Sequence, residues 1–192
     1  MLNKEEILQI LREKEVLLEG HFRLTSGRHA AYYMQCAKLL QHPDATEILV
    51  SQLAGYFVNQ GITVVAGPAT GAIIIAYEAA RALGVKDVFT EREGGIMSLR
   101  RGFTVGPKDR VLVVEDVVTT GGSVREVIEL MYEKGAEVVG VGVLVDRTNG
   151  KIDFGVPLQA LVSMEIESFE SENCPICAEG KIPVIKPGSR QV

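Results

Sequence analysis

Two adjacent carboxylates, Glu115 and Asp116, stand five residues ahead of the triplet Gly121-Gly122-Ser123, with Thr119 and Thr120 between them. Paired acids of this kind can accept hydrogen bonds from a vicinal diol, face an oxocarbenium-like charge on a sugar ring, or hold a hydrated magnesium ion. Thr119 to Ser123 offers successive backbone N–H groups and three hydroxyls, a nest for a phosphate dianion. Gly121 and Gly122 let the backbone approach a ligand with no Cβ in the way. The ligand that fits both halves is a ribose carrying a phosphate. An apolar strand followed by a structural glycine turn is the plainer reading of the same residues. A P-loop is a poor fit, because no Gly-x-x-x-x-Gly-Lys-Ser/Thr occurs, and no Gly-x-Gly-x-x-Gly is present for a dinucleotide.

These residues need a strand to carry the acids and a helix to carry the nest. The apolar run Val111 to Val114 predicts a buried parallel strand, and Val124 to Ile128 begins a helical pattern running to Lys134 and ending at Gly135. The helix N-terminus then faces the ligand. A second unit of the same kind precedes it: the strand Ile62 to Ala66, the loop Gly67-Pro68-Ala69-Thr70-Gly71, and a helix from Ala72 to Leu83 closed by Gly84. This loop reads as an ordinary tight turn or as a second anion nest suited to a diphosphate. A third strand, Val138 to Val145, ends in Asp146-Arg147, where an arginine fork could hold a carboxylate or simply pair with Asp146.

Elsewhere, Asn3 caps a first helix ending near Lys14, and Pro43 opens a second that stops by Gly61. Between them, Leu18 to Gln35 reads as a β-hairpin with a wet face or as a cap over a flat substrate. Lys86 to Glu91 reads as a short strand and Leu99 to Phe103 as an exposed antiparallel one. Leu158 to Met164 is the last sheet strand expected, Glu165 to Asn173 a short helix, and the tail after Pro183 loose. Strands alternating with helices predict an α/β fold with a central, mostly parallel sheet flanked by helices.

The net charge of −5 without a basic block argues against general nucleic-acid binding. No apolar run reaches membrane-spanning length and the first residues do not resemble a signal peptide, so the expected location is the cytoplasm, away from membranes. Cys36, Cys174 and Cys177 make no disulfide framework. Cys174-Pro175-Ile176-Cys177 is a single Cys-x-x-Cys; zinc, redox chemistry and a structural turn are its readings, and the structural turn is favoured because His21, His29 and His42 lie far away in sequence. No protein-held metal is expected.

The run Val111 to Ser123 resembles the phosphoribosyl-diphosphate (PRPP) signature of the type I phosphoribosyltransferases. With Gly20-His-Phe-x-Leu-x-Ser-Gly-Arg28, Gly67-Pro-Ala69, Val145-Asp-Arg147, and Cys174-Pro-Ile-Cys177 followed by Lys186-Pro-Gly-Ser-Arg190, most of the chain resembles the orotate phosphoribosyltransferase family. The resemblance implies one domain over residues 1–192: an N-terminal hood (1–40), a core (41–165), and a C-terminal helix and tail (166–192). It implies transfer of phosphoribose from PRPP to orotate, giving orotidine 5′-monophosphate for pyrimidine synthesis, with Mg²⁺ carried by PRPP and water-bridged to Glu115 and Asp116. It also implies a homodimer in which a loop of one subunit closes over the other's site.

By the same resemblance, Glu115 and Asp116 meet the ribose hydroxyls, and Val117, Val118, Thr119, Thr120, Gly121, Gly122 and Ser123 hold the 5′-phosphate. Ala69 and Thr70 form the diphosphate loop, where a cis peptide is expected. Thr119, Arg147 and Tyr33 contact orotate, with Tyr33 packing against the base. Arg92 is the catalytic cation of the mobile loop. Departures from the family pattern are plain. The loop Glu91 to Gly95 is short and has no lysine or histidine, and the family's lysines before Ser-Gly and in the diphosphate loop are Thr25 and Gly71 here. Arg92, Arg100 or Arg28 then remain to meet the diphosphate. Two other readings stay open: a transferase for another base, and a PRPP-sensing regulator.

Overall fold

The computed structural model describes residues 1–24 and 26–187. Its centre is a six-stranded sheet in the order β5-β4-β3-β6-β7-β8. The parallel strands are β3 (Val64–Pro68), β4 (Lys86–Glu93), β6 (Arg110–Val118), β7 (Glu137–Asp146) and β8 (Leu158–Ser163), while β5 (Ile96–Leu99) runs antiparallel on the edge. Strands buried on both faces should read as continuous apolar runs, and β3 and the first half of β6 do so.

Helices cover both faces. α1 (Lys4–Glu13), α2 (Pro43–Gly55) and α3 (Ile73–Leu83) contribute to one core with Leu11, Leu49, Leu53 and Ile75. α4 (Gly122–Glu133) closes the other with Val124, Val127 and Met131. Asn3 starts α1 through a capping box, its side chain accepting from the Glu6 N–H while Glu6 accepts from the Asn3 N–H.

The chain leaves β3 for β4 on one side, then returns to lay β6 on the other. Strand order therefore reverses between β3 and β6, and the crevice at their carboxyl ends is where an open α/β sheet takes its ligand. The loop carrying Ala69 and Thr70 and the loop carrying Thr119 to Ser123 both leave the sheet at that crevice.

A second, three-stranded antiparallel sheet forms the N-terminal hood: β1 (Leu17–Arg23), β2 (His29–Met34) and β9 (Ser168–Phe169), with β2 central. The expected helix over Glu165 to Asn173 is not there. Residues 168–169 pair with β2 instead, a single 3-10 turn follows at Ser171–Asn173, and α5 (Pro175–Glu179) comes after it. An unpaired strand edge is an open row of hydrogen-bonding groups, and filling it outweighs local helical spacing. The tail is also held. Ile185 N–H donates to the His21 carbonyl at 2.8 Å, and Arg23 N–H to the Ile185 carbonyl at 2.8 Å. The expected strand at Leu99 to Phe103 is displaced to Ile96–Leu99, because Arg101 and Gly102 take positive φ. Thr25, in the place of the family's lysine before Ser-Gly, and residues 188–190 of the Lys186 to Arg190 motif lie outside the described residues.

Candidate active site

β6 delivers Glu115 and Asp116 half-buried at its carboxyl end. Each carboxylate is partly answered by nearby backbone: the Asp116 N–H donates to Glu115 Oε1 at 3.1 Å, and the Val117 N–H to Asp116 Oδ1 at 2.6 Å. No salt bridge reaches either acid among the described residues. Burial first, and then the Asp116 charge, pushes the Glu115 carboxyl up to about 8; burial raises Asp116 as well. Such a pair fits a cation or a hydroxyl-rich ligand that has yet to arrive.

A linkage consequence follows for the ligand-free chain. Native Glu115 holds its proton more tightly than the unfolded chain does, so the native state binds more protons between the ordinary value of 4.5 and about 8. The stabilisation is full below that window and is lost as pH rises through it. Thermal melts across this range should show a falling midpoint that Glu115→Gln flattens. Equal slopes for the two proteins would remove Glu115 as the cause.

The next residues form one cleft, lined by Glu115, Val117, Val118, Thr119, Thr120, Gly121, Gly122, Ser123 and Val124. α4 opens on Gly121 with no side-chain cap, leaving the first N–H groups of the helix free to meet an anion. Gly121 has φ +75°, and a Cβ there would lie 2.3 Å from Ile152 Cδ1 and 2.8 Å from Phe154 Cε1. Only glycine serves at that position.

The β3–α3 loop lies against the acids. Ala69–Thr70 is a cis peptide, as the resemblance implied, and the Ala69 N–H donates to the Thr90 carbonyl at 2.7 Å. A Cβ on Gly71 would stand 3.0 Å from Asp116 Oδ2, so the loop and the carboxylate are in direct contact. Ala69 and Thr70 are exposed beside them.

Arg147 follows β7 by one residue and is half-buried. The ion pair with Asp146 weighed above does not form. Asp146 instead accepts from the Thr148 N–H at 2.7 Å, the Thr148 hydroxyl at 2.6 Å and the Gly150 N–H at 2.7 Å. Burial pushes the Asp146 carboxyl up, and these hydrogen bonds more than reverse it, holding it below its usual range. Asp146 thus shapes the loop that presents Arg147. The Arg147 Nε is buried without a hydrogen-bond partner, and burial lowers the guanidinium pKa from its ordinary value. A cation kept in this state is set to receive an anion.

The hood reaches the same place. Cys36, just past β2, has its thiol pushed up by burial and then by the charges of Asp116 and Glu115, while Arg147 acts in the opposite sense. Tyr33 on β2 also bears on Arg147; its ring lies 5.8 Å from that of Phe22, and its hydroxyl is 3.4 Å from Gln35 Oε1. The structure therefore gathers Glu115, Asp116, the 117–123 loop, Ala69, Thr70, Arg147 and Tyr33 at one crevice. Cys36, buried and within electrostatic reach of both the acids and Arg147, is the neighbour that sequence reading did not place there, since an isolated cysteine carries no spacing signal.

Arg92 is not gathered with them. It is exposed on β4 and donates to Glu126 Oε1 of α4 at 3.0 Å. The other candidate cations are engaged too: Arg100 pairs with Glu93 at 3.3 Å, and Arg28 binds the Ser168 hydroxyl at 2.9 Å and pairs with Glu170. Arg28 fastens β9 to the hood, which takes it away from a diphosphate.

Residues 37–154 match the model of the phosphoribosyl transferase domain family. A protein of Desulforamulus reducens named orotate phosphoribosyltransferase is 56% identical over 191 residues, covering 100% of both chains. One of the same name from Caldanaerobacter subterraneus is 54% identical over the same span, again with 100% of both chains covered. Among solved structures, orotate phosphoribosyltransferase from Aeropyrum pernix superposes with a TM-score of 0.71 at 28% identity, covering 82% of this chain and 93% of that one. The enzyme of that name from Mycobacterium tuberculosis, in complex with inorganic phosphate, gives 0.69 at 26% identity, with 84% and 95% covered.

Proposed function

Since the chain belongs to the phosphoribosyltransferase family, and within it to the orotate phosphoribosyltransferases, we infer that it transfers the phosphoribosyl group of PRPP to orotate, giving orotidine 5′-monophosphate and diphosphate for pyrimidine synthesis. The observation that carries orotate as the base is Arg147, a half-buried guanidinium with an unpartnered Nε, just past the end of β7, the strand that pairs with β6. Orotate bears a carboxylate; uracil and the purines do not. A bidentate fork satisfies Arg147 only when that anion is present.

Each residue then has a task. The free N–H groups opening α4, with the Thr119, Thr120 and Ser123 hydroxyls, hold the 5′-phosphate through the 117–123 loop. Glu115 and Asp116 accept from the ribose hydroxyls and offset positive charge as the anomeric carbon parts from diphosphate. Arg147 and Thr119 orient orotate, and Tyr33 lies against its ring. At the β3–α3 loop Thr70 gives the leaving diphosphate its backbone N–H and hydroxyl, while Ala69, its own N–H held by the Thr90 carbonyl, fixes the loop against β4. Anchored by its carboxylate, orotate gives its ring N–H proton to solvent and attacks the anomeric carbon through that nitrogen as the bond to diphosphate breaks, and Asp116 acts mainly on charge and less as a base.

Two half-buried carboxylates with raised pKa and, among the described residues, no ion pair are a donor set suited to Mg²⁺, directly or through water. When bound with PRPP, magnesium supplies positive charge to the diphosphate. The chain is further proposed to act in the cytoplasm as a homodimer. Ile74 and Tyr77, exposed on α3 next to the Ala69–Gly71 loop, offer an apolar face for the second copy. In the dimer, Arg92 exchanges Glu126 for the diphosphate in the partner's site. A monomeric sedimentation profile would remove the dimer, and an Arg92→Ala variant with unaltered PRPP KM would remove that role.

The direct test follows orotate absorbance with the protein, PRPP and Mg²⁺, with uracil and hypoxanthine in parallel. Loss of orotate only when PRPP and Mg²⁺ are both present is the expected result. Consumption of a different base would overturn the assignment of Arg147, and binding of PRPP without turnover would overturn the enzyme.

A further inference from the structure

Four side chains outside the active site converge beneath the hood. His21 on β1, His29 on β2, Cys174 and Cys177 each offer one ligand atom, all within 4.8 Å of one another. Three of the four residues are buried, His21 to 1% exposure, Cys174 to 3% and His29 to 7%. The Cys174 and Cys177 sulfurs lie 3.5 and 3.6 Å from His21 Nε2, and Cys177 Sγ lies 3.2 Å from His29 Nδ1. The two imidazole nitrogens are 2.9 Å apart. We propose that these residues form a structural zinc site of the Cys₂His₂ kind, which fastens the C-terminal segment to the hood.

The donor chemistry selects the ion. Two thiolates and two imidazoles suit Zn²⁺, and hard-cation carboxylates are absent from the group. Zn–S bonds of about 2.3 Å and Zn–N bonds of about 2.0–2.1 Å in a tetrahedron place sulfur and nitrogen about 3.5–3.6 Å apart. The His21 contacts already have that spacing, and the nitrogens need only part slightly to admit the ion.

The tautomer is also set. His21 Nδ1 lies 3.1 Å from the Ile182 carbonyl oxygen, which can only accept a hydrogen bond. Nδ1 therefore carries the proton in the neutral ring, and Nε2 turns a lone pair to the other three ligand atoms. An outer hydrogen bond from the non-ligating nitrogen of a metal-bound histidine is the common arrangement.

The fold gives this site a purpose. β9 contributes only Ser168–Phe169, and the tail rests on β1 through the two hydrogen bonds of Ile185. α5, which carries Cys177, has five residues and none buried. So slight a segment has little apolar surface with which to offset its ordering entropy, and small metal-clamped segments take that stability from the ion. The proposal does not depend on the identity of the base.

The full chain, purified without a metal-chelating tag and kept under a thiol reductant, should carry one zinc per chain after dialysis. Exchange for Co²⁺ should produce thiolate-to-cobalt charge-transfer absorption together with the intense visible bands of tetrahedral cobalt. Chelation should speed hydrogen exchange at the Arg23 and Ile185 amides and leave the β6 amides protected. Cys174→Ser combined with Cys177→Ser should abolish zinc uptake; if that variant does not fold, the cobalt spectrum and the exchange data on the unaltered chain decide. A reduced chain that holds no stoichiometric zinc and takes up neither ion would overturn the proposal. So would a cobalt spectrum without thiolate bands.

Discussion

Asp116→Asn is expected to lower kcat by about 10²–10³-fold, the loss found when one preorganised electrostatic group is removed from a transition state. Its KM for orotate should change little, because the role proposed for Asp116 is at the sugar and that proposed for Arg147 is at the base. The substitution is a fair probe of charge alone. Asparagine keeps the oxygen that accepts from the Val117 N–H, so the turn after β6 keeps its local hydrogen bond. It also leaves the space beside Gly71 filled by an isosteric group. Stability should not fall, since a buried charge whose largest penalty is desolvation has gone. Initial rates from orotate absorbance, with melting curves alongside, make the comparison. An unchanged kcat in a folded variant would reduce Asp116 to a structural residue and leave the sugar's charge to Glu115 alone.

The other large effect belongs to Arg147. Replacement by alanine should cut kcat/KM for orotate by about 10²–10⁴-fold, the equivalent of two charge-assisted hydrogen bonds at roughly 1.5–3 kcal/mol each. Lysine should recover only part of this, because a point charge cannot reproduce a planar fork. Any trace activity toward uracil should be unaffected or raised, so the ratio between bases carries the result. The melting temperature gives an independent check. Among the described residues Arg147 has no ion pair to lose, and its Nε is already unpartnered, so Arg147→Ala should be neutral or mildly stabilising. A variant that loses stability and both activities together would mean that Arg147 shapes the loop and does not recognise the base.

The part of the site legible in the sequence is the part that is contiguous in it. From Val111 to Ser123 a buried strand, two acids, a glycine loop and a helix start succeed one another, and each has a local cause that tertiary packing does not override. The same holds for Gly67 to Leu83. The reading failed where the cause was distant. Glu165 to Asn173 has Ile166 and Phe169 at helical spacing, yet the open edge of β2 takes Ser168 and Phe169 into a strand. His21 and Cys174 are separated by 153 residues, so nothing local marks them as neighbours; the hairpin expected over Leu18 to Gln35 was the one available hint that His21 and His29 share a strand pair. Asp146 and Arg147 were legible as important residues, but the sequence left an ion pair between them open; the structure turns Asp146 to Thr148 and Gly150 instead, partners supplied by the loop that follows. Arg92 had the right charge in the right loop, but sequence could not show Glu126 waiting for it on α4.

The small sheet over the crevice is assembled from the two extremes of the polypeptide, β1 and β2 from the beginning and β9 with Ile185 from near the last described residues. During synthesis the first hairpin leaves the ribosome long before its third strand exists. At about 5–20 residues per second, the interval corresponds to roughly 7–27 s of translation. Through that time the core can close over its sheet while β2 keeps a bare edge. The side of the crevice beneath this small sheet is therefore finished last, and a premature stop codon between β8 and β9 would yield a chain that completes the 117–123 loop yet lacks the third strand of its roof.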